Sequence, residues 1–397
     1  MTWSDKEQKI FKKVSDVIPR VKWQLKLAGI WPFEKTLSSN IKFIIIVLFH
    51  ATHLILAYGD LIMVFSNIEK AVENFSSTGI QTISFFRIIT LKLNKKLHNL
   101  IATTIDDISE NNYKDYHEKR LFIKYHNFSY KYLKIGSWFA SGSTFCWYIK
   151  EIPGYIILRL NNETAILPPP FRILILFDTT PINRILIVYL CEIPIMFFSH
   201  SLILTTIVYS SIVSNICTQL SLLSNRMKIN LSDKNESKLT LKREHFFKRH
   251  IDKHCQLLSM VQETNNVYDI QLFFELAVLT ILLALLIHSE SENINKADYT
   301  GVFFIGTFIF VLLMLIFITC YLGQCLHDEV DNLRNTYYYC LSYELTIQDK
   351  KKLLICMAIV DKPLHITAGG FYIYSLNSFL MIIKSSMAYV SMLRQMN

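Results

Sequence analysis

The sequence predicts an all-α membrane protein with seven transmembrane helices, and three observations support this fold class. Hydrophobic residues make up 51% of the 397 residues, whereas only 18% are charged; a water-soluble protein normally has about a quarter. Several apolar segments reach the roughly 20 residues of helix that a bilayer crossing requires. Glycine and proline number only 11 and 9, which argues against a disordered or fibrous chain.

The seven predicted spans follow one another along a single membrane domain that covers residues 1–397. The second span is the weakest because Arg87 interrupts it, and the fourth is long enough to project beyond the bilayer. The absence of an evident internal repeat argues against an inverted-repeat transporter. The spans are 43–66, 76–91, 132–149, 185–215, 268–288, 300–323 and 367–393.

The distribution of positive charge predicts the orientation of these spans. The segments 1–42, 92–134, 226–253 and 323–366 hold 32 lysine and arginine residues, whereas the alternate segments and the tail hold six. The positive-inside rule therefore places the N-terminus in the cytosol and the C-terminus outside the cell. A G-protein-coupled receptor would have the opposite orientation. The sequon that begins at Asn162 then lies in an outer loop and is the predicted glycosylation site.

Polar sequence between the spans predicts helical extensions into the cytosol. Segments 216–265 and 323–366 continue spans 4 to 6 with a charged pattern that is mostly free of glycine and proline. We expect them to form an anchor region that packs subunits together below the membrane. Residues 5–28 predict a short amphipathic helix on the inner membrane surface.

Ionisable residues within the spans should face a cavity or a partner rather than lipid. Arg87 with Glu192 is one possible ion pair. His50 and His53 are one turn apart, but a metal site needs further ligands at matching depth; buried polar contacts are the favoured interpretation, and no metal is predicted. The ionisable residues in or near the spans are Asp60, Arg87, Glu192 and Glu275.

Several functional classes are disfavoured by what the sequence lacks. The chain has no GxSxG, HExxH, P-loop or paired-carboxylate motif in a suitable context, so we predict neither an enzyme nor a cofactor. The eight cysteines form no CxxC pair and are interpreted as small buried apolar residues. Nucleic acid is not expected as a partner, because no soluble domain carries a basic patch.

Aromatic and methionine residues concentrate in the outer halves of spans 2, 3, 4 and 6. Such residues more often pack helices together than line a pocket. An apolar cavity with a few hydroxyl groups would nevertheless suit a small volatile ligand that is held mainly by burial. The candidate ligand-binding residues are Phe85, Phe86, Ser143, Trp147, Met196, Phe197 and Phe304.

The last span carries polar residues in two lines. Asn377, Lys384 and Ser391 are seven residues apart, which is close to two helical turns. A neighbouring line holds Ser378, Ser385 and Met392. A helix that faces lipid on all sides should not retain a polar line, whereas a helix that faces a partner or water should. The pattern is typical of a helix that lines a pore.

Four motifs resemble the insect odorant receptor family, and the resemblance extends over essentially the whole chain. The strongest are residues 320–323 (CYLG) and 363–370 (PLHITAGG); residues 167–168 (LP) and 29–32 (GIWP) add to them. The chain departs from the family pattern at Ser342, where tryptophan is usual, and at Ile359, where arginine is frequent. The tail lacks the TYxxxxxQF-type motif of the related gustatory receptors.

The resemblance implies an odorant-gated, non-selective cation channel. It implies a heterotetramer with the odorant-receptor coreceptor and a volatile odorant bound in the outer half of the helix bundle. It also implies surrounding membrane lipid and a plasma-membrane location in dendrites of olfactory sensory neurons. Aligning the tail on Tyr389 puts the family's gate positions at Met392 and Met396. The predicted pore and gate residues are Ser378, Ser385, Met392, Gln395 and Met396. The alternatives are a gustatory-type receptor channel and a G-protein-coupled chemoreceptor.

Overall fold

The computed structural model describes residues 5–113, 115–161, 166–178, 181–232, 239–295, 299–341, 346–361 and 364–396. Within these residues the fold is almost entirely helical, with one short antiparallel strand pair in which Thr367 faces Ile373. The elements are α1 (Asp5–Ser15), α2 (Val17–Leu27), α3 (Leu37–Val64), α4 (Ile68–Leu93), α5 (Lys95–Asp107), α6 (Tyr116–Ile149), α7 (Glu151–Leu160), α8 (Ile182–Ser232), α9 (Leu239–Asn295), α10 (Tyr299–Cys340), α11 (Ile347–Val360), β1 (Thr367–Ala368), β2 (Tyr372–Ile373) and α12 (Leu376–Met396).

Side-chain caps fix where α3, α4 and α5 begin. Thr36 accepts a hydrogen bond from the backbone N–H of Ser39 at the start of α3, and Asn67 accepts one from Lys70 at the start of α4. Asn94 has an extended backbone that ends α4, and its side chain then caps α5. Such caps satisfy backbone donors that the first turn leaves unpaired.

Helix α8 forms the centre of the bundle. Every residue from 201 to 224 is buried, a length of about 36 Å of helix, and α6, α10, α4 and α9 surround it. Small hydroxyl residues let the neighbouring helices approach closely. Ser210, for example, donates to Ser129 on α6 across 3.1 Å.

The two ends of the bundle are built differently. At one end, here called the anchor end, α1, α2, α5 and α11 pack against the adjoining halves of α6, α8, α9 and α10. At the other end, the loop end, α7 and the segment 166–178 cover the bundle. Phe171 of that segment is buried, and Leu174 donates its N–H to the carbonyl of Leu56 on α3.

The N-terminal expectation needs correction. Residues 5–28 form two helices, α1 and α2, and not one short helix. Their apolar side chains, including Phe11, Val17 and Leu25, are buried against the bundle. Packing on α6 and α8 therefore covers the apolar face that the sequence analysis assigned to a membrane surface.

The last helix begins later than the sequence predicted. The span 367–393 was expected to be helical throughout, but α12 starts at Leu376 and residues 367–373 contain the strand pair. Gly369 and Gly370 have φ values of 64° and 74°. This left-handed region is open to glycine and interrupts a right-handed helix, so the two glycines form a turn.

Among the described residues, four helices are long and apolar enough to cross a membrane: residues Leu37–Val64, Ile182–Ile229, His245–Ile294 and Tyr299–Cys340. The protein is therefore a multi-pass membrane protein. Helices α8 and α9 continue well beyond predicted spans 4 and 5, and α10 continues beyond span 6 to Cys340. Segment 323–366 is not one continuous extension, because α11 is a separate helix.

Candidate ligand-binding site

A small space, here called the inner cavity, lies between α4, α6, α8 and α10 beneath the segment 166–178. Its volume is about 30 Å³, which admits a water molecule but is far below the usual size of a ligand pocket. A ligand larger than water would therefore have to displace side chains to enter. The lining residues are Ser77, Ile80, Gln81, Ser143, Thr144, Trp147, Phe171, Ser199 and Phe308.

A larger space of about 570 Å³, here called the vestibule, opens at the loop end. Trp147 lines both the vestibule and the inner cavity. Its ring packs against Phe308, with the ring centroids 5.4 Å apart, and Lys150 Nζ lies 4.4 Å from the indole centroid. Lys150 also pairs with Glu73 on α4 and lies 3.5 Å from Glu151. Trp147 is thus the wall between the two spaces.

The structure brings only some of the predicted ligand-binding residues to these spaces. Ser143 and Trp147 line the inner cavity, and Phe304 lines the vestibule. Phe85 instead packs edge-on against the His50 ring, with the centroids 5.2 Å apart, and Phe86 is 55% exposed.

The remaining two candidates lie on α8. Met196 and Phe197 are half-buried there, and neither lines the inner cavity or the vestibule. Phe197 packs edge-on against Phe198, with the ring centroids 6.2 Å apart.

Sequence reasoning missed most of the remaining lining. Ser77 and Gln81 stand four residues apart on α4, and the polar residues Asn74 and Ser84 continue that pattern. This helical spacing of polar residues within an apolar segment was the available signal. Phe171 carries no such signal, because it reaches the cavity from the segment between α7 and α8.

Hydrogen bonds across the cavity wall join α4 to α8. Gln81 Nε2 donates to Ser199 Oγ across 2.8 Å. One turn further along α4, Ser84 Oγ donates to the carbonyl of Phe198 across 2.7 Å. Gln81 is 2% exposed and Ser84 is fully buried, so both contacts fix the helices in a medium without bulk water.

A buried ion pair lies deeper in the bundle. Arg87 on α4 donates from Nε and Nη2 to the two carboxylate oxygens of Glu275 on α9, each across 2.6 Å. Arg87 Nη1 donates to Thr206 on α8 across 2.7 Å, and Gln271 donates to Glu275 across 2.9 Å. A bidentate, fully hydrogen-bonded pair compensates the cost of burying two charges.

The proposed pairing of Arg87 with Glu192 is therefore wrong. Glu192 lies instead 3.4 Å from Nδ1 of His53 on α3. Arg87 reaches Glu275 because α4 and α9 pack directly against each other, a juxtaposition that local sequence does not encode.

Helix α9 also holds the turn that precedes α12. Asp269 Oδ1 accepts hydrogen bonds from Thr367 Oγ1 across 2.6 Å and from the N–H of Gly370 across 2.9 Å. The hydroxyl of Tyr374 donates to the carbonyl of Leu272 across 3.0 Å. Gly323 on α10 touches Tyr374 so closely that a Cβ there would collide with its carbonyl oxygen. Helix α9 therefore carries Glu275 of the ion pair and also holds the turn at the base of α12.

Helix α12 is the least covered long helix of the fold. Between residues 376 and 392, the buried side chains are Ile382, Ser386 and Val390. Of the predicted pore residues, Ser385 and Met392 are exposed, and Ser378 is half-buried. The side chains of Gln395 and Met396, and the whole of Asn162, lie outside the part of the chain that the structure describes.

Comparisons with known proteins identify the family. The sequence model of the 7tm Odorant receptor family matches residues 67–387. Odorant receptor 85f of Drosophila melanogaster is 24% identical over 196 residues, which are 47% of this chain and 49% of that protein. The odorant receptor coreceptor of Aedes aegypti is 24% identical over 146 residues, 37% of this chain and 30% of that protein. The chain thus matches about half or less of the length of these relatives.

The fold matches solved structures over nearly its full length. The insect olfactory receptor OR5 from Machilis hrabei has a TM-score of 0.77 and 15% sequence identity, covering 98% of this chain and 100% of that one. The same receptor in complex with eugenol has a TM-score of 0.78 and 16% identity. At this identity the likeness establishes the fold alone, while the family match spans most of the sequence. The chain therefore belongs to the insect odorant receptor family, transmembrane receptors of olfaction.

Proposed function

We propose that this protein is an odorant-binding subunit of a non-selective cation channel that assembles with the odorant-receptor coreceptor as a heterotetramer. The observation that carries the proposal is the exposure of α12. It presents Asn377, Lys384 and Ser385 to the exterior of the subunit. Polar side chains at membrane depth require water or a protein partner, so the helix needs a pore and neighbouring subunits to cover it.

The proposed topology has seven spans, a cytosolic N-terminus and an extracellular C-terminus. The excess of lysine and arginine in alternate segments supports it. The spans are carried by α3, α4, α6, α8, α9, α10 and α12, with lipid around them. The anchor end then lies in the cytosol with segments 216–265 and 323–366, and Asn162 lies outside as the glycosylation site.

The proposed ligand is a small volatile molecule that enters the inner cavity. Ser143, Trp147 and Phe304 are the predicted residues best supported by the geometry, because they line the inner cavity or the vestibule. Phe85, Phe86, Met196 and Phe197 remain candidates for a pocket that has opened around a ligand. The eugenol complex of the structural relative supports a volatile ligand for this fold.

The proposed gate lies at the end of α12. Filling the inner cavity spreads α4 and α6, and α9 transmits the shift through Asp269 and Tyr374 to the base of α12. Met392 and Met396 then move apart, with Ser378, Ser385 and Gln395 along the pore. A ring of large apolar side chains excludes hydrated ions. A ligand shifts this equilibrium only by its difference in affinity for the closed and open states.

The test is expression with and without the coreceptor, with a broad panel of volatiles and a record of cation current. We expect evoked current only when the coreceptor is present. In the native neuron, we expect the complex at the surface of the dendrites. Current without the coreceptor would favour a gustatory-type channel. An extracellular N-terminus together with signalling through a G protein would favour a G-protein-coupled chemoreceptor. No current with surface expression confirmed would contradict the proposal.

A further inference from the structure

Helix α2 has two apolar faces, and only one of them packs on the bundle. The buried face carries Val17, Val21 and Leu25, which are all at most 3% exposed. On the opposite face, Trp23 and Leu27 stand one turn apart and are 64% and 58% exposed. Two large apolar side chains that remain uncovered on one helix face indicate a surface that meets another apolar medium.

Cations border this exposed face of α2. Lys22 and Lys26 lie on one side of Trp23 when the helix is viewed along its axis, and Arg20 lies on the other side. All three cations are exposed. An apolar stripe between basic residues is typical of a helix that lies in the interface of a membrane, where tryptophan is also enriched.

The start of α3 fixes the position of α2 relative to the membrane. Ser39 Oγ donates to the carbonyl of Gly29 across 3.3 Å, and a Cβ on Gly29 would lie 2.4 Å from the carbonyl oxygen of Ser39. The end of α2 therefore packs directly on the first turn of α3. Helix α3 is long and apolar enough to cross a membrane, and Leu37 and Ile41 near its start are 77% and 48% exposed. The exposed face of α2 thus lies where the apolar surface of α3 begins.

A pocket of about 300 Å³, here called the α2–α3 pocket, lies between the two helices. Trp23 and Leu27 line it from α2, and Ser38 and Lys42 line it from α3. The Ser38 side chain is exposed and makes no hydrogen bond to the residues that the structure describes, so its hydroxyl is available to donate. The pocket therefore joins an apolar side to a polar side.

The α2–α3 pocket has an excess of positive charge. Lys26 Nζ pairs with Glu34 Oε1 across 3.2 Å, so these two charges compensate each other. Lys92 on α4 reaches the wall of the pocket, where its Nζ lies 3.2 Å from Ser39 Oγ and 3.2 Å from the carbonyl oxygen of Glu34. Lys42 is exposed and has no ion-pair partner in the described part of the chain. The charges of Lys42 and Lys92 therefore remain for an anionic group to balance.

We propose that the α2–α3 pocket binds the headgroup of an anionic phospholipid, in the membrane leaflet that borders the anchor end. Lys42 and Ser38 contact the headgroup, Lys92 adds to the positive potential, and Trp23 and Leu27 pack on the upper part of the acyl chains. In the proposed topology this leaflet is the inner one, and that placement alone rests on the proposed function.

The chemistry of the surface favours a lipid over the other possible occupants. A soluble anion has no apolar part to cover Trp23 and Leu27. An apolar helix of another subunit would cover those two side chains but would leave the charge of Lys42 without a counterion. An anionic phospholipid satisfies both requirements, whereas a zwitterionic one brings a cation of its own and gains less from the lysines.

The experiment counts lipids on the full-length receptor in complex with the coreceptor. The complex is reconstituted in nanodiscs of phosphatidylcholine with a rising fraction of phosphatidylserine, and native mass spectrometry then records which lipids remain bound after transfer to detergent. All substitutions are made in this subunit alone, so lipids held by the coreceptor are the same in every sample. We expect at least one phosphatidylserine to be retained in preference to phosphatidylcholine.

Variants locate the lipid. Lys42→Gln should raise the fraction of phosphatidylserine needed for half occupancy about fivefold, the effect of one lysine at an anionic surface, whereas Lys42→Arg should leave it nearly unchanged. Trp23→Ala should lower retention of both lipids, because it removes apolar contact and no charge. The matched control is Lys13→Gln, at an exposed position of α1 outside the pocket, which should leave phosphatidylserine retention unchanged.

The outcomes separate this inference from the channel function, since the count needs neither odorant nor current. Equal retention of the two lipids by the unsubstituted complex, or an equal effect of Lys13→Gln and Lys42→Gln, would overturn the inference. Displacement of phosphatidylserine by the same concentration of glycerophosphoserine would also overturn it, because a soluble anion would then be the occupant. Selective retention without evoked current would support the inference and contradict the channel proposal, and current with equal retention would do the reverse.

Discussion

Helices α8 and α12 both consist largely of apolar residues, yet α8 is buried over much of its length and α12 is mostly exposed. Residues 201–224 of α8 are buried on every side by the subunit itself. In α12 only the line through Ile382, Ser386 and Val390 is buried among residues 376–392. The contrast separates two surroundings: α8 is the buried centre of the bundle, whereas α12 leaves most of its surface uncovered.

The serines of the two helices make the contrast concrete. The Ser210 hydroxyl on α8 lies 3.0 Å from the carbonyl oxygen of Ile207 and 3.1 Å from Ser129 Oγ on α6, so its small size serves close helix packing. Ser385 on α12 donates to the carbonyl of Met381 and is exposed. The same residue type therefore fills a packed interface in one helix and faces outward in the other. Substitutions in α8 should affect folding, and those in α12 should affect current.

The largest expected effect is on the ion pair that joins α4, α8 and α9. Arg87→Ala leaves the Glu275 carboxylate buried without its partner, which should destabilise the receptor by about 3–5 kcal/mol. The measurement is the fraction of folded receptor at the cell surface, together with thermal unfolding of the purified protein. The double variant Arg87→Met with Glu275→Leu is the control, because it removes both charges.

We expect the double variant to recover much of the lost stability, since replacing a buried pair with apolar residues is often neutral. If Arg87→Ala folds as well as the unsubstituted protein, the pair does not stabilise the α8-centred core.

Matched substitutions in the two helices have the next largest effect. Ser210→Leu forces a larger side chain between α8 and α6 and should cost about 1–3 kcal/mol. Ser385→Leu should change stability by less than about 0.5 kcal/mol, as is usual for exposed positions, but should reduce odorant-evoked current. Thermal unfolding and current are both recorded for each variant. Equal destabilisation by the two substitutions would contradict the assignment of α12 to an exposed role.

Much of this contrast was readable in the sequence, and the remainder was not. The polar lines of α12 follow from the seven-residue spacing of Lys384 and Ser391, and the helical class follows from long apolar segments. The Gly369–Gly370 turn had a signal in its paired glycines, which the surrounding apolar sequence obscured. The partner of Arg87 lies 188 positions away, and no local pattern specifies such a contact.

The residues of the candidate ligand-binding site also divide into those that the sequence predicted and those that it did not. Trp147 and Ser143 were found because aromatic and hydroxyl residues stand together in one span. Gln81 was missed although its spacing from Ser77 showed a polar line on α4. Phe171 depends on how the segment 166–178 folds back over the bundle, which is a property of the tertiary structure.

A smaller effect is expected from acid at the anchor end, where burial lowers the pKa of His250 and of His254 from 6.5 to about 4. His250 Nε2 lies 3.1 Å from the hydroxyl of Tyr337, and the His254 ring packs edge-on against the same Tyr337. The unfolded chain binds protons at these sites below about pH 6.5, and the folded chain does so only near pH 4. Stability should therefore be complete above pH 6.5 and fall as the pH drops from there towards 4.

The check is the unfolding temperature between pH 7.5 and 5. His254→Leu should flatten this dependence, whereas His245→Leu, at an exposed position of the same helix, should leave it unchanged. An unaltered slope in His254→Leu would show that the acid sensitivity of the anchor end originates elsewhere.

The smallest effect on stability, and the sharpest test of the comparison, is expected at Met392. This side chain is 59% exposed near the end of α12, so Met392→Ser should change the free energy of unfolding by less than about 0.5 kcal/mol. If the side chain forms part of a dry barrier, a smaller polar residue lets water and ions enter. Current in the absence of odorant should then rise in coreceptor complexes. Met387→Ser, at another exposed position of α12, is the control and should leave that basal current low. Unchanged basal current in Met392→Ser, with normal surface expression, would remove Met392 from the gate while leaving the exposure of α12 to be explained by contacts between subunits.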